Sequence, residues 1–201
     1  MKNKRLIITL GCAVILVLGT AAATLAYFTD TDSAVNTFTV GQVGITLDEA
    51  DVNEAGEVIS EKRVTENDYH LIPGHSYVKD PTVHIDADSE SCYVYVEVTN
   101  GLEAILDAPT VESQIEKNDW QPLEGVSNIY YREYIASEPK PTEAVDMIVF
   151  ESFKVRGDGV TNTVIADCSD AEIKVTAYAI QKSGFETAAE AWETAKHQFG
   201  L

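Results

Sequence analysis

Residues 92–98 read Cys-Tyr-Val-Tyr-Val-Glu-Val, and this stretch decides the class of fold. Its cysteine and three valines alternate with two tyrosines and a glutamate, so the two sets point to opposite sides of an extended chain. Alternation with a period of two is typical of a half-buried β-strand. We therefore expect Cys92, Val94, Val96 and Val98 to face a core, and the tyrosines and Glu97 to face the other way.

Similar patterns recur on both sides of this stretch. Residues 43–47, 129–135 and 171–180 each read as a strand, and residues 147–155 are apolar on both faces, as expected for a central strand. Glycine, proline and asparagine pairs lie between these runs and mark turns. Residues 48–68 are acidic and predict a loop or a hairpin. Many short strands with frequent turns predict a mostly β fold, an antiparallel sandwich.

One amphipathic helix is predicted near the end of the chain. Its apolar stripe has spacings of three and four residues, and Thr187 with Glu190 forms a capping-box pattern at its start. Gly200 suits the position just past its end. We expect the helix to pack on the sandwich through Phe185, Ala188, Trp192, Ala195 and Phe199.

The first 26 residues have the pattern of a secretory signal peptide. Lys2, Lys4 and Arg5 precede an uncharged apolar stretch, and small residues follow before Ala26 and Tyr27. This order predicts cleavage between Ala26 and Tyr27, export, and a secreted or cell-surface protein. The alternative is a retained membrane anchor, since the uncharged stretch is long enough to span a bilayer. In either case we expect membrane contact only through the uncleaved signal.

Removal of residues 1–26 leaves residues 27–201, a length suited to one domain. The remainder has 11 basic and 33 acidic side chains, a formal charge of −22. Nucleic acid and anionic lipid both require a positive surface, so we do not expect either as a partner. Two cysteines remain, Cys92 and Cys168. Outside the cell they can form a disulfide, but a buried free thiol at Cys92 fits the strand pattern equally well.

The junction after the signal peptide resembles a known family. Residues 23–33 read ATLAYFTDTDS, residues 36–41 read NTFTVG, and residues 71–74 read LIPG. These motifs resemble the TasA and camelysin (CalY) family of biofilm-matrix fibre proteins of Gram-positive bacteria, which are exported and processed by a SipW-type signal peptidase. The resemblance covers residues 1–47 well and residues 70–100 loosely.

The resemblance implies a jelly-roll-like sandwich and a role as a subunit of an extracellular matrix fibre. It also implies that the mature N-terminal segment, residues 27–38, leaves its own subunit and adds as a strand to the next one. The partners would be further copies of the chain or a homologous matrix subunit, besides the signal peptidase during export. An ordinary first strand within the same domain is the alternative. The apolar positions of the expected assembly strand are Tyr27, Phe28, Val35, Phe38 and Val40.

We do not expect an enzyme, a catalytic residue, a cofactor or a metal site. Camelysin has been described as a metallopeptidase, but none of the four histidines here stands in an H-E-x-x-H motif. The alternating carboxylates Asp86, Asp88 and Glu90 lack the remaining ligands of an EF-hand loop and read as a solvated acidic loop. The first alternative to a fibre subunit is a monomeric binding or adhesion module at the cell surface, and a camelysin-like metallopeptidase comes after it.

Overall fold

The computed structural model describes residues 29–32, 43–168 and 170–201. Their regular structure is mostly strand, so the predicted fold class is confirmed. The strands are β1 (Thr29–Asp32), β2 (Ile45–Val52), β3 (Val58–Val64), β4 (Ser76–Val78), β5 (Thr82–Ile85), β6 (Cys92–Asn100), β7 (Gln121–Pro122), β8 (Ile129–Tyr134), β9 (Val145–Ile148), β10 (Ser152–Lys154) and β11 (Ile173–Gln181). The helices are α1 (Val111–Lys117), α2 (Asn162–Ala166) and α3 (Ala188–Ala195), with 3₁₀ turns at Glu103–Ile105 and Lys196–Phe199.

The strands form two main antiparallel sheets. Sheet 1 has five strands in the order β1-β11-β6-β8-β7, and sheet 2 has four in the order β3-β2-β5-β9. Strands β4 and β10 form a separate antiparallel pair. Apolar residues of β6 and β11 in sheet 1 share one buried core with those of β2 and β5 in sheet 2, which is the arrangement of a β-sandwich. The jelly-roll connectivity stays a prediction.

The alternation in residues 92–98 is correct for the side that faces sheet 2. Cys92, Val94 and Val96 are fully buried in the core between the sheets. The expectation that Tyr93 and Tyr95 face away from that core is also met, but both rings are buried. They lie in a second apolar cluster on the outer side of sheet 1, because α3 covers that side.

Helix α3 begins and packs as its sequence predicts. Thr187 is its N-cap, and its side chain accepts a hydrogen bond from the amide of Glu190. The Glu190 carboxylate accepts from the amide of Glu186, one residue before the cap, so the expected capping box is shifted by one position. Trp192 is buried on sheet 1, and Gly200 ends the following turn with a φ of 81°. A left-handed φ of this kind favours glycine.

The expectation of one central strand over residues 147–155 is wrong. The segment forms β9 at the edge of sheet 2 and β10 beside β4, with a break between them. Side chains from the α1 region satisfy the backbone of the break. The amide oxygen of Gln114 accepts from the amides of Glu151 and Ser152, and the indole of Trp120 donates to the carbonyl of Ile148. Because these contacts satisfy the backbone groups around the break, the apolar side chains of residues 149 and 150 can be buried there without a continuous strand.

Residues 48–68, expected as a loop or a hairpin, contain most of the β2–β3 hairpin, whose register shifts between Ala50 and Val52. The turn expected at residues 71–74 is present, with a bond from the amide of His75 to the carbonyl of Ile72 and a φ of 80° at Gly74. In the described part of the chain, no helix is long and apolar enough to cross a membrane.

Candidate functional site at the edge of strand β11

The first described strand lies at one edge of sheet 1. Strand β1 pairs antiparallel with β11, and Asp30 stands opposite Ala179 in the register. The pairing covers four residues of β11, from Ala177 to Ile180. The other side of β11 pairs with β6 along its whole length. Strand β1 is therefore a short edge strand that is hydrogen-bonded to β11 alone and also lies close to β2 of sheet 2.

The outer edge of β11 continues beyond β1. Between Ile173 and Thr176, no strand within residues 29–32, 43–168 and 170–201 pairs with it. In an antiparallel sheet, alternate residues of an edge strand direct their N–H and C=O groups outward. This half of the edge therefore presents backbone groups suited to a further extended segment.

A cleft of about 840 Å³ opens beside this free half of the edge. Its walls come from β2, from the chain between β3 and β4, from β11 and from the end of α2. The apolar walls consist mainly of Leu47, Leu71, Leu102, Phe153, Ile165 and Val175. The acidic side chains that line it are Asp48, Glu49, Glu66, Asp68 and Glu172, against the basic Lys79 and Lys174. The cleft therefore combines apolar walls with an excess of negative charge.

A buried ion pair fixes the part of the cleft nearest β2. Glu49 is 4% exposed, and its carboxylate accepts from the ammonium of Lys79 at 2.6 Å. The side-chain amide of Asn67 donates to the other carboxylate oxygen at 2.8 Å. Both oxygens of the buried carboxylate are thus satisfied, as a buried charge requires.

An aromatic group lines the cleft next to this pair. The ring of Tyr69 lies 5.2 Å from that of Phe153 and 5.8 Å from that of Tyr77, edge to face in both cases. Its hydroxyl donates to the carbonyl of Val78 at 2.9 Å. Burial raises the pKa of Tyr69, and the nearby carboxylate of Glu49 raises it further. Tyr69 is therefore a neutral hydrogen-bonding group at physiological pH.

Most of the residues predicted for assembly and processing lie outside the described residues. These are the cleavage-site residues Ala26 and Tyr27, and the apolar positions Phe28, Val35, Phe38 and Val40. Of the predicted assembly segment 27–38, the structure describes residues 29–32, which form β1. The sequence indicated that this segment can form a strand, but not which edge it would join.

The disulfide considered between Cys92 and Cys168 is not formed, and both cysteines are free. Cys92 is fully buried between the sheets, where burial raises its pKa to about 12. Cys168 is half-buried beside α2 and lines the cleft. The strand pattern had indicated the alternative, a buried free thiol at position 92.

The histidines do not form a cluster. His70 lines the cleft, the Nε2 atom of His75 lies 2.9 Å from the carbonyl oxygen of Ala55, and His84 lies on sheet 2. His197 lies in the last 3₁₀ turn. Across the described ranges, no group of three or more histidine, cysteine, aspartate or glutamate side chains is arranged to hold a metal ion.

The acidic stretch of residues 86–90 contacts a lysine. The ammonium of Lys140 donates to the carbonyl of Asp88 and to the carboxylate of Glu90, at 2.7 Å in each case. It ties this loop to the segment between β8 and β9. A sequence reading does not find this contact, because the two partners are 50 residues apart.

The sequence also did not reveal the Glu49–Lys79 pair or the cleft. The pair depends on the pairing of β2 with β5, which brings Lys79 beside Glu49, and the cleft depends on the approach of distant segments to β11; no local pattern encodes either. Comparisons of the chain with protein-family models, with curated proteins and with solved structures found no match.

Proposed function

We propose that the chain is a secreted structural subunit of an extracellular matrix fibre. In this proposal, the N-terminal segment of one copy adds as a strand to the outer edge of β11 in the next copy. The observation that carries it is the place of β1, a strand of four residues at the edge of sheet 1, paired only with β11. A segment with one neighbour can leave without breaking the rest of the sheet.

The exchange of β1 between copies has a low energetic cost. The hydrogen bonds that β1 makes to its own β11 are made again to the β11 of a neighbour, so the difference in free energy is small. A donor at the N-terminus and an acceptor at a sheet edge are different surfaces of the subunit. Such head-to-tail contacts give filaments when they do not close into a ring.

The cleft supports a donor strand longer than β1. Antiparallel to β11, β1 runs from Ile180 towards Ala177, so its direction leads to the free edge at Ile173–Thr176 and to the cleft. Residues 33–40 of the sequence read SAVNTFTV and carry no charge. In the proposed fibre, this segment from a neighbouring copy continues the strand, and its apolar side chains meet the apolar walls. Main-chain bonds supply affinity, and the alternate side chains supply specificity.

Signal cleavage would control this assembly. Before cleavage, the donor segment is joined to the apolar leader in residues 1–26 and is held at the membrane. Cleavage after Ala26 frees the N-terminus for exchange. The proposal therefore links polymerisation to export.

Two proteins of different length test the proposal. A protein that begins at Tyr27 should form fibres that are visible by electron microscopy, and one that begins at Thr39 should remain monomeric. Circular dichroism and sedimentation should show that the shorter protein is folded. Equal fibre formation by both proteins would contradict the donor role of residues 27–38, and the absence of fibres from both would contradict the fibre proposal.

A monomeric binding or adhesion module is the second candidate. Two observations favour it: β1 lies on its own β11, and the cleft has the size of ligand sites, which range from about 300 to 1,000 Å³. A module of this kind would stay monomeric from Tyr27 onward at all concentrations. Sedimentation of that protein over a wide concentration range separates the two candidates.

A further inference from the structure

The outer face of sheet 2 carries a row of ionised side chains that crosses all four strands. Arg63 of β3 contacts the carboxylate of Asp48 on β2. The same carboxylate oxygen lies 2.8 Å from Nε2 of His84 on β5. On the other side of the ring, Nδ1 of His84 lies 2.6 Å from the carboxylate of Asp146 on β9. We name this row the Arg63–Asp146 ladder.

The ladder requires a particular protonation state of His84. A neutral imidazole has one N–H and can donate to one carboxylate, whereas an imidazolium has two and can donate to both. Both ring nitrogens of His84 lie within hydrogen-bond distance of a carboxylate. The geometry therefore corresponds to the charged ring, with one carboxylate on each side.

The pKa of His84 follows from these contacts. Burial of the ring lowers it, but the hydrogen bonds and charges of Asp48 and Asp146 outweigh burial, so that the pKa of His84 is raised. The carboxylates that face the ring come from β2 and β9. Arg63 and Asp80 act on it through Asp48, since Arg63 bonds both of those carboxylates.

Loss of the ring proton would affect the two carboxylates differently. Asp48 keeps Arg63 as a partner, and its side chain is 26% exposed. The side chain of Asp146 is 61% exposed, and within the described ranges its carboxylate has His84 as its one hydrogen-bond partner. A neutral imidazole would therefore keep its bond to Asp48 and release Asp146.

We infer that His84 is a pH-operated clamp on β9, which holds this edge strand to sheet 2 more tightly when the ring is charged than when it is neutral. Strand β9 is held by backbone pairing with β5 from Thr82 to Ile85 and by the buried side chain of Met147, and the ladder adds a side-chain contact from Asp146 to His84 on β5. Each local opening of β9 exposes the outer edge of β5. This edge is distinct from that of β11, and the inference does not depend on the proposed fibre.

The direction of the effect follows from linkage. Because the pKa of the ring is raised in the folded state, the clamp is fully present below the pKa of an unfolded histidine, about 6.5. It is lost as the pH rises through the folded-state value. The population in which β9 opens should therefore increase as the pH rises above the pKa of an unfolded histidine and through the raised pKa of His84.

Nuclear magnetic resonance of the protein that begins at Tyr27, at a concentration at which sedimentation shows a monomer, tests the clamp. The ring resonances of His84 should titrate at higher pH than those of the same residue in urea. Amide exchange at residues 145–148, corrected for the intrinsic effect of pH, should accelerate in the same pH range. The protection should fall by at most about tenfold for each unit by which the folded pKa of His84 exceeds the unfolded one, because the ring keeps its contact with Asp48 when β9 opens.

Three variants complete the experiment. His84→Gln and Asp146→Asn should each lower the protection of residues 145–148 and make that protection independent of pH in the range where His84 of the unchanged protein titrates. His197→Gln, the same change at a histidine far from the ladder, should leave both unchanged. The variant Asp146→Asn alters an exposed side chain, so it gives an answer even if His84→Gln does not fold. Protection of β9 that does not change while His84 titrates, or a His84 that titrates at or below its value in urea, would overturn the inference.

Discussion

The ring of Tyr95 packs against the indole of Trp192, with centroids 4.9 Å apart, and its hydroxyl donates to the carbonyl of Ala188 at 2.7 Å. One residue is in the middle of sheet 1 and the other is in α3. The contact explains why the outer side of sheet 1 is buried although its strands alternate. It makes α3 a third layer over the two sheets.

Replacement of Trp192 should destabilise the protein strongly. Trp192 is 2% exposed and contacts both Tyr95 and Tyr178, so Trp192→Ala leaves a large cavity under α3. We expect a loss of about 3–5 kcal/mol in the free energy of unfolding, measured by urea denaturation. Glu193→Ala, at the next and exposed position, should change it by less than about 0.5 kcal/mol. Similar losses for both would show that α3 is not a structural layer.

The buried pair beside the cleft should be costly to break. Lys79→Met leaves the carboxylate of Glu49 buried without its ammonium partner, and we expect a loss of about 3 kcal/mol in stability. The control is Lys196→Met, which breaks an exposed pair with Glu193 and should cost less than about 1 kcal/mol. Urea denaturation of both variants gives the comparison. A loss at Lys79 no larger than that at Lys196 would mean that Glu49 is not buried as a charge.

Replacement of Gln114 should destabilise the protein, although its side chain is polar. It bonds the backbone of Glu151 and Ser152, where the break between β9 and β10 meets β10, and it is 7% exposed. Gln114→Ala leaves the amides of Glu151 and Ser152, which are only partly buried, without this partner, so we expect a loss of about 1 kcal/mol in thermal or urea denaturation. Gln121→Ala, in exposed β7, is the matched control and should be nearly neutral. If the two variants are equally stable, the break is held by other contacts.

The two cysteines should differ in reactivity. Cys92 is buried and its pKa is raised to about 12, so at about pH 8 it has almost no thiolate and no access to reagent. Cys168 is half-buried at the cleft and should be alkylated by iodoacetamide within minutes. Mass spectrometry of peptides should find label at Cys168 alone in the folded protein and at both in urea. Label at Cys92 without denaturant would contradict the placement of β6.

A designed disulfide can report which β11 the N-terminal strand occupies. Asp30 and Ala179 stand directly opposite each other, at a separation that a disulfide tolerates. In a background with Cys92→Ala and Cys168→Ala, the pair Asp30→Cys and Ala179→Cys should give a bond within one chain in monomers. In fibres it should give bonds between chains, seen as a ladder on a non-reducing gel. Fibres that contain only bonds within chains would exclude strand exchange at this edge.

Local patterns predicted the elements whose surroundings are simple. The alternation in residues 92–98 identified β6, and the spacing of three and four identified α3, because each pattern reports one buried side. The same alternation did not predict burial of Tyr93 and Tyr95, since a strand covered on both faces can keep a period of two when both sets are partly apolar. The tyrosine hydroxyls and Glu97 also made the outward-facing set of residues 92–98 look solvent-exposed.

The elements that were missed depend on distant contacts. Residues 147–155 resemble one strand by composition, and the break in them is stabilised by Gln114 and Trp120 from another part of the chain. Helix α1 has only seven residues, too few to establish a period. The cleft and the Arg63–Asp146 ladder join side chains from separate strands, and their formation requires a sheet order that periodicity does not specify.

In the described part of the chain, the two broad sides are unlike, since α3 covers sheet 1 while the outer face of sheet 2 presents partly exposed acidic and basic side chains. If many copies are stacked in one orientation, one side of the stack is a row of α3 helices, here called the ridged flank. The opposite side is a row of sheet 2 faces with alternating acidic and basic side chains, here called the smooth flank. Neighbouring stacks would then meet flank to flank in only a few ways, and salt would weaken contacts through the smooth flank more than contacts through the ridged one. Lateral bundling would thus be selective without any additional binding motif.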